Sequence, residues 1–183
     1  MDRRLLCWML ALFCTFSAAL THAGELAPAE SDALQKDVRS LLSTFARGDT
    51  DAMIARTHPS VKRFAGGDAA YAKAARDAMK TLDDMGVKVI SDDVGKPTRT
   101  YAAGAEEVCF VPRTTVFTVD AQTVKSLAFM VAIRPVGGTQ WRYIDGAAMQ
   151  AMPELLRQLL PDLQPDVPLP PVRVEQLQVA PRT

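Results

Sequence analysis

Between Ser31 and Asp145 the spacing of apolar residues changes character at Gly86. Up to Gly86 they recur every three or four positions, the period of a helix with one buried face; beyond it they alternate, the period of a strand. Leu34, Val38, Leu41, Leu42 and Phe45 form one helical stripe, which predicts a helix over 31–47, with Ser31 as its cap and Gly48 as its stop. Asp49 reads as the cap of a short second helix through Met53 and Ile54, ended by His58-Pro59. After Phe64-Ala65-Gly66-Gly67 a third helix is predicted, capped by Asp68. Its stripe is Tyr71, Ala75, Ala78, Leu82 and Met85, and Gly86 ends it.

Val87–Ile90 reads as a short strand followed by a polar loop through Asp92, Asp93, Gly95 and Pro97, and 98–101 as a weaker strand. Over 107–119, Val108, Phe110, Thr114 and Val116 share one face, and Cys109, Val111, Thr115 and Phe117 the other. Pro112 cannot donate to a ladder, so a bulge or an edge position is expected there. A turn at Asp120-Ala121-Gln122 leads to a strand over 123–134, and Pro135–Gly138 leads to a last strand over 140–145. A closing helix is predicted over 148–160 on Met152, Leu155, Leu156 and Leu159. Helices first and an antiparallel meander afterwards define an α+β fold.

The two ends differ in kind. Arg3 and Arg4 precede an apolar run from Leu5 to Leu20 and then Thr21-His22-Ala23, the layout of a secretory leader cut after Ala23, or after Ala19. The run is short for a membrane span and no second one follows. The reading is a leader over 1–23, a domain over 24–160, and an extended tail over 161–183 that holds half of the 12 prolines. Residues 172–174 of that tail suit an edge strand. The predicted location is periplasmic or secreted, with no stable membrane insertion after cleavage.

With 21 basic and 21 acidic residues the chain carries no net charge and no basic patch, which argues against a nucleic-acid partner. Of the 3 cysteines, Cys7 and Cys14 fall in the leader. Cys109 then has no partner for a disulfide and reads as a buried, inert thiol. One cysteine and His58 are too few for a zinc site. The pairs Asp83-Asp84 and Asp92-Asp93 lack the alternating ligands of a calcium loop and read as solvated charge. No metal and no cofactor is expected. Pro168–Arg173 has the spacing of a groove-binding proline peptide but reads as a structural arm.

The order of elements resembles the NTF2-like, or SnoaL-like, superfamily over roughly 31–160. The residues that carry the likeness are Arg47-Gly48-Asp49, Thr57-His58-Pro59 and Trp141-Arg142-Tyr143-Ile144-Asp145-Gly146, and it is nearest to uncharacterised exported members. The resemblance implies a curved sheet wrapped round the helices, leaving a conical pocket. Such pockets serve isomerases and dehydratases in some relatives, and ligands, partner chains or dimer contacts in others. The acid–base constellations of those enzymes have no counterpart by motif here.

An acid–base enzyme would need a titratable group inside the cone and a donor to stabilise developing charge. The catalytic candidates are His58, Tyr71 and Asp145: Tyr71, like Tyr101 and Tyr143, could donate, and Asp145 could act as base, while His58 has the plainer use of a helix end and Asp145 that of a turn or cap. Asp49 is explained by capping. Phe117, Phe129, Trp141 and Tyr143, with Met130 and Met149, are the candidate ligand-binding residues, because aromatic and methionine side chains fill the inside of a curved sheet. The functional expectation is binding of a small apolar molecule or a protein partner through cone and sheet. An isomerase or dehydratase on an apolar substrate, and an interaction subunit forming a homodimer through the sheet, are the alternatives.

Overall fold

The computed structural model describes residues 23–120 and 122–177. The leader apart from Ala23, the central residue of the turn at Ala121, and the end of the tail with Pro181 lie outside the described residues. Four helices come first: α1 (Pro28–Ala46), α2 (Thr50–Arg56), α3 (Pro59–Phe64) and α4 (Asp68–Asp84). Strands β1 (Lys88–Val94), β2 (Thr100–Ala103), β3 (Glu106–Val119), β4 (Gln122–Pro135) and β5 (Arg142–Asp145) follow. A 3-10 turn (Gly146–Gln150), the one-turn helix α5 (Leu155–Leu159) and β6 (Arg173–Leu177) complete the chain. Among the described residues no helix is long and apolar enough to cross a membrane.

The chain is α+β, with helices preceding an open, six-stranded antiparallel sheet. Its spine is the long hairpin of β3 and β4, paired from Glu106↔Pro135 to Val119↔Gln122. Each outer edge of the hairpin carries two short strands end to end. β2 and β1 share the free edge of β3, and β5 and β6 share that of β4. Pro112 falls in the gap between β2 and β1. Its carbonyl accepts from the Gly95 N–H at 2.8 Å, and its missing N–H faces that same gap, where no ladder bond is lost. The expected edge position is therefore met without interrupting the pairing to β4.

Both sheet faces are covered near the β2 and β5 end. On one, Leu34, Val38, Leu41 and Leu42 of α1 pack on Cys109, Val111, Met130, Ala132, Trp141 and Tyr143. On the other, Leu155, Leu156, Leu159, Leu160, Leu163 and Val167 cover Val108, Phe110, Phe129, Val131 and Ile133. The proline-rich segment thus contributes to the core and then adds β6 to the sheet. The hairpin half between β1 and β6 is only half-buried.

Several local expectations are corrected. Ser31 lies inside α1, which starts at Pro28, and its hydroxyl donates to the Pro97 carbonyl at 2.5 Å. Asp68 is the first residue of α4, not its cap. Tyr71, Ala72, Ala75 and Met79 of α4 turn inward, while Ala78, Leu82 and Met85 are exposed. The separate helix α3 was not predicted. Asp92 and Asp93 belong to β1, which bulges between Val89 and Ser91, and Asp92 accepts from the Thr115 hydroxyl. The predicted C-terminal helix is broken at Pro153, which leaves Met152 half exposed.

The helix stops follow expectation. Gly48 and Gly86 have φ of 83° and 67°. After each, a pair of N–H groups reaches back to the last turn: Gly48 to Phe45 and Asp49 to Thr44, and likewise Gly86 to Asp83 and Val87 to Leu82.

Candidate functional site

The α2–α3 corner is tied to the edge of β5. Asp49 caps α2 by accepting from the Ala52 N–H at 3.0 Å. Thr57 forms a parallel bridge with Tyr143, and the His58 N–H donates to the Tyr143 carbonyl at 2.9 Å. This pinning turns Met53, Thr57 and Val61 toward the sheet. From the far end of β5, Asp145 caps the 3-10 turn through the Ala147 N–H at 2.8 Å, which brings Met149 back beside α5.

An apolar cleft of about 220 Å³ opens between these pieces. Leu41, Met53, Val61, Met130, Met149, Leu155 and Leu159 make most of its wall, and Tyr71 enters from the first turn of α4. Phe64 stands at the wall with 61% of its surface exposed. Among the described residues the wall carries four polar side chains: Thr57, Tyr71, Tyr143 and Asp145. The Thr57 hydroxyl donates to the Met53 carbonyl at 2.8 Å and lies 3.0 Å from the Tyr71 hydroxyl. The Tyr143 hydroxyl donates to Asp37 at 2.5 Å. Burial, and then the bond to Asp37, push the Tyr143 hydroxyl well above the usual phenol range, so it keeps its proton. Asp145 holds an ion pair with Arg113 at 3.3 Å.

A larger cavity of about 670 Å³ lies on the other side of Tyr143, lined by Glu30, Asp37, Arg56, Arg134, Trp141 and Arg142 among others. Its charges are already engaged. Arg56 pairs with Asp37 at 2.5 Å; burial alone would lower the Arg56 guanidinium, and Asp37 outweighs it, so the net displacement is upward. Arg134 pairs with Glu107 and Glu30 and lies 4.2 Å from the Trp141 ring centre.

The sequence candidates are thus distributed unevenly. Tyr71, Tyr143 and Asp145 meet in the apolar cleft with Met130 and Met149. Trp141 faces the charged cavity. Phe129 is buried in the core on the α5 side, its ring edge-on to Phe110, and Phe117 is half-buried far along the hairpin beside Val89 and Val124. Neither lines the cleft: Phe129 is buried in the cluster behind Met149, Leu155 and Leu159, and Phe117 is beyond the covered end. His58 is 5% exposed, not a surface helix end. Its Nδ1 faces the Ser60 hydroxyl at 2.7 Å and its Nε2 the Glu106 carboxylate at 3.1 Å. Both ring nitrogens are occupied away from the cleft. Cys109 is fully buried, and burial pushes its thiol up to about 12. Thr57, Val61 and Phe64 were missed. Thr57 and Tyr71 belong to different helices, and no local pattern announces their contact.

Comparison with protein families, with curated proteins and with solved structures returns no match for this chain.

Proposed function

We propose that the chain is an exported NTF2-like domain that binds a small apolar molecule in the cleft between α2, α3, α4 and β5. The apolar wall carries this reading. A dry cavity of ~150 Å³ is enough for benzene, so about 220 Å³ suits a substituted ring or a short branched chain. The residues 1–23 support export, and the element order supports the NTF2-like assignment with the cone as its pocket. Binding is favoured over acid–base chemistry because His58 is engaged outside the cleft and Asp145 is held by a cap and an ion pair. A second reading, an interaction subunit forming a homodimer through the sheet, draws support from the exposed Val89 and Ile90 on β1 and Val174 and Leu177 on β6.

Methyl NMR of the methionines tests the binding reading. Titration with toluene should move Met53, Met130 and Met149 saturably and leave Met79, Met85 and Met152 in place. Absence of any shift at saturation in toluene would refute it.

A further inference from the structure

The hydrogens in the cleft are already spoken for. A threonine hydroxyl has one hydrogen, and a backbone carbonyl can only accept, so Thr57 spends its hydrogen on Met53 at 2.8 Å. In the 3.0 Å contact between Thr57 and Tyr71 the donor must then be Tyr71. What Tyr71 offers the cavity is an oxygen lone pair. The Tyr143 hydrogen goes to the Asp37 carboxylate. Asp145 accepts from the Ala147 N–H and from Arg113. Thr57 and Tyr71 therefore present acceptors to the cleft and Asp145 adds carboxylate oxygens, while the Tyr143 hydroxyl is turned to Asp37 on the far side.

We infer that the cleft selects an apolar molecule that carries a hydrogen-bond donor, a hydroxyl or an amino group, and rejects carboxylates and other anions of the same size. This inference rests on the cleft being a ligand site and adds the chemistry of the ligand. A hydroxyl or ammonium placed against Tyr71 and Thr57 satisfies lone pairs that an all-carbon ligand leaves bare. A carboxylate would find no uncommitted side-chain donor among the lining residues, since the nearest cation, Arg113, lies behind Met130 and Asp145 and is bonded to both. It would face oxygens of like polarity, and its desolvation would go largely uncompensated. A carbonyl ligand meets the same lack of donors. For Thr57 to turn its hydrogen inward, the Met53 carbonyl would have to lose its partner at the end of α2.

A ligand series on one ring separates the outcomes: toluene, benzyl alcohol, benzylammonium, benzaldehyde and benzoate, titrated into the folded chain and followed at the methionine methyls. Benzyl alcohol should bind about fivefold tighter than toluene, the worth of one net hydrogen bond. Benzylammonium should bind at least as tightly as toluene, benzaldehyde no tighter than toluene, and benzoate at least about tenfold weaker. In Tyr71→Phe the ratio of alcohol to toluene affinity should fall toward one. If toluene binds while benzaldehyde or benzoate equals or exceeds benzyl alcohol, the donor rule is overturned and the ligand site stands. If toluene itself leaves the three cleft methionines unmoved, the site fails and the donor rule with it.

Discussion

Replacing Arg134 by methionine should be among the most damaging single changes in this domain. Arg134 and Glu107 are direct cross-strand neighbours on β4 and β3, 8% and 2% exposed, joined by a 2.9 Å bond from Arg134 Nε. Methionine keeps the apolar stem and removes the charge, so Glu107 is left buried without its partner. Breaking a buried pair from one side costs about 3–5 kcal/mol, and the lost stacking on Trp141 adds about 0.5–1 kcal/mol. For a domain of this size each kcal/mol moves Tm by ~2–4 °C, which places the drop at roughly 10 °C or more. Glu107→Leu should cost less, because Arg134 keeps Glu30. The double variant Arg134→Met/Glu107→Leu leaves no fully buried charge stranded, since Glu30 keeps 35% of its side chain in water, and should recover to within about 2 kcal/mol of the parent. Urea unfolding of the four proteins gives the cycle. A loss below about 1 kcal/mol in Arg134→Met, or a double variant that costs the sum of the singles, would refute the claim that the pair is a desolvated unit.

Three further outcomes follow from the packing. A Cβ added at Gly146 would lie 2.5 Å from the Phe129 carbonyl oxygen and 2.6 Å from its ring, so Gly146→Ala should cost about 3 kcal/mol by overpacking; calorimetry should register it, and NMR should show the Met149 methyl displaced. His58→Ala removes the α3 cap and the bonds to Ser60 and Glu106 and should cost about 2 kcal/mol in urea unfolding with unchanged toluene affinity; lost affinity would place His58 in the site. Because the Cys109 thiol is held up to about 12 against an ordinary value of 9.0, the unfolded chain loses this proton first, so stability should fall as pH rises between those values, by up to about 1.4 kcal/mol per pH unit. Cys109→Ala should flatten that alkaline limb, and alkylation with peptide mapping should find Cys109 unmodified until denaturant is added.

Much of the framework was legible along the chain. The stripe of α1, the glycine stops at Gly48 and Gly86, the Asp49 cap and the two faces of β3 all follow from period and local backbone chemistry, which involve residues only a few positions apart. An edge strand is expected at 172–174, and β6 overlaps it but runs on from Arg173 to Leu177. Misreadings arose where a distant contact outweighed a local signal. Asp92 and Asp93 look like loop residues, yet β3 offers them a ladder and Thr115 a hydrogen bond. Met152 continues a helical stripe in sequence, but Pro153 breaks the helix and leaves it in solvent.

The residues by themselves determined the α+β order, the antiparallel hairpin, the inert character of Cys109 and the absence of net charge, because each depends on composition or short-range geometry. Tertiary structure alone decided that Tyr71 stands over Thr57, that Tyr143 gives its hydrogen to Asp37, 106 positions away in the chain, and that Phe117 and Phe129 stand apart from the cleft. Hydrogen-bond direction is settled by which partner already holds a hydrogen. That partner is brought into reach by the folding of separate helices onto one sheet edge, a distance no pattern along the chain encodes.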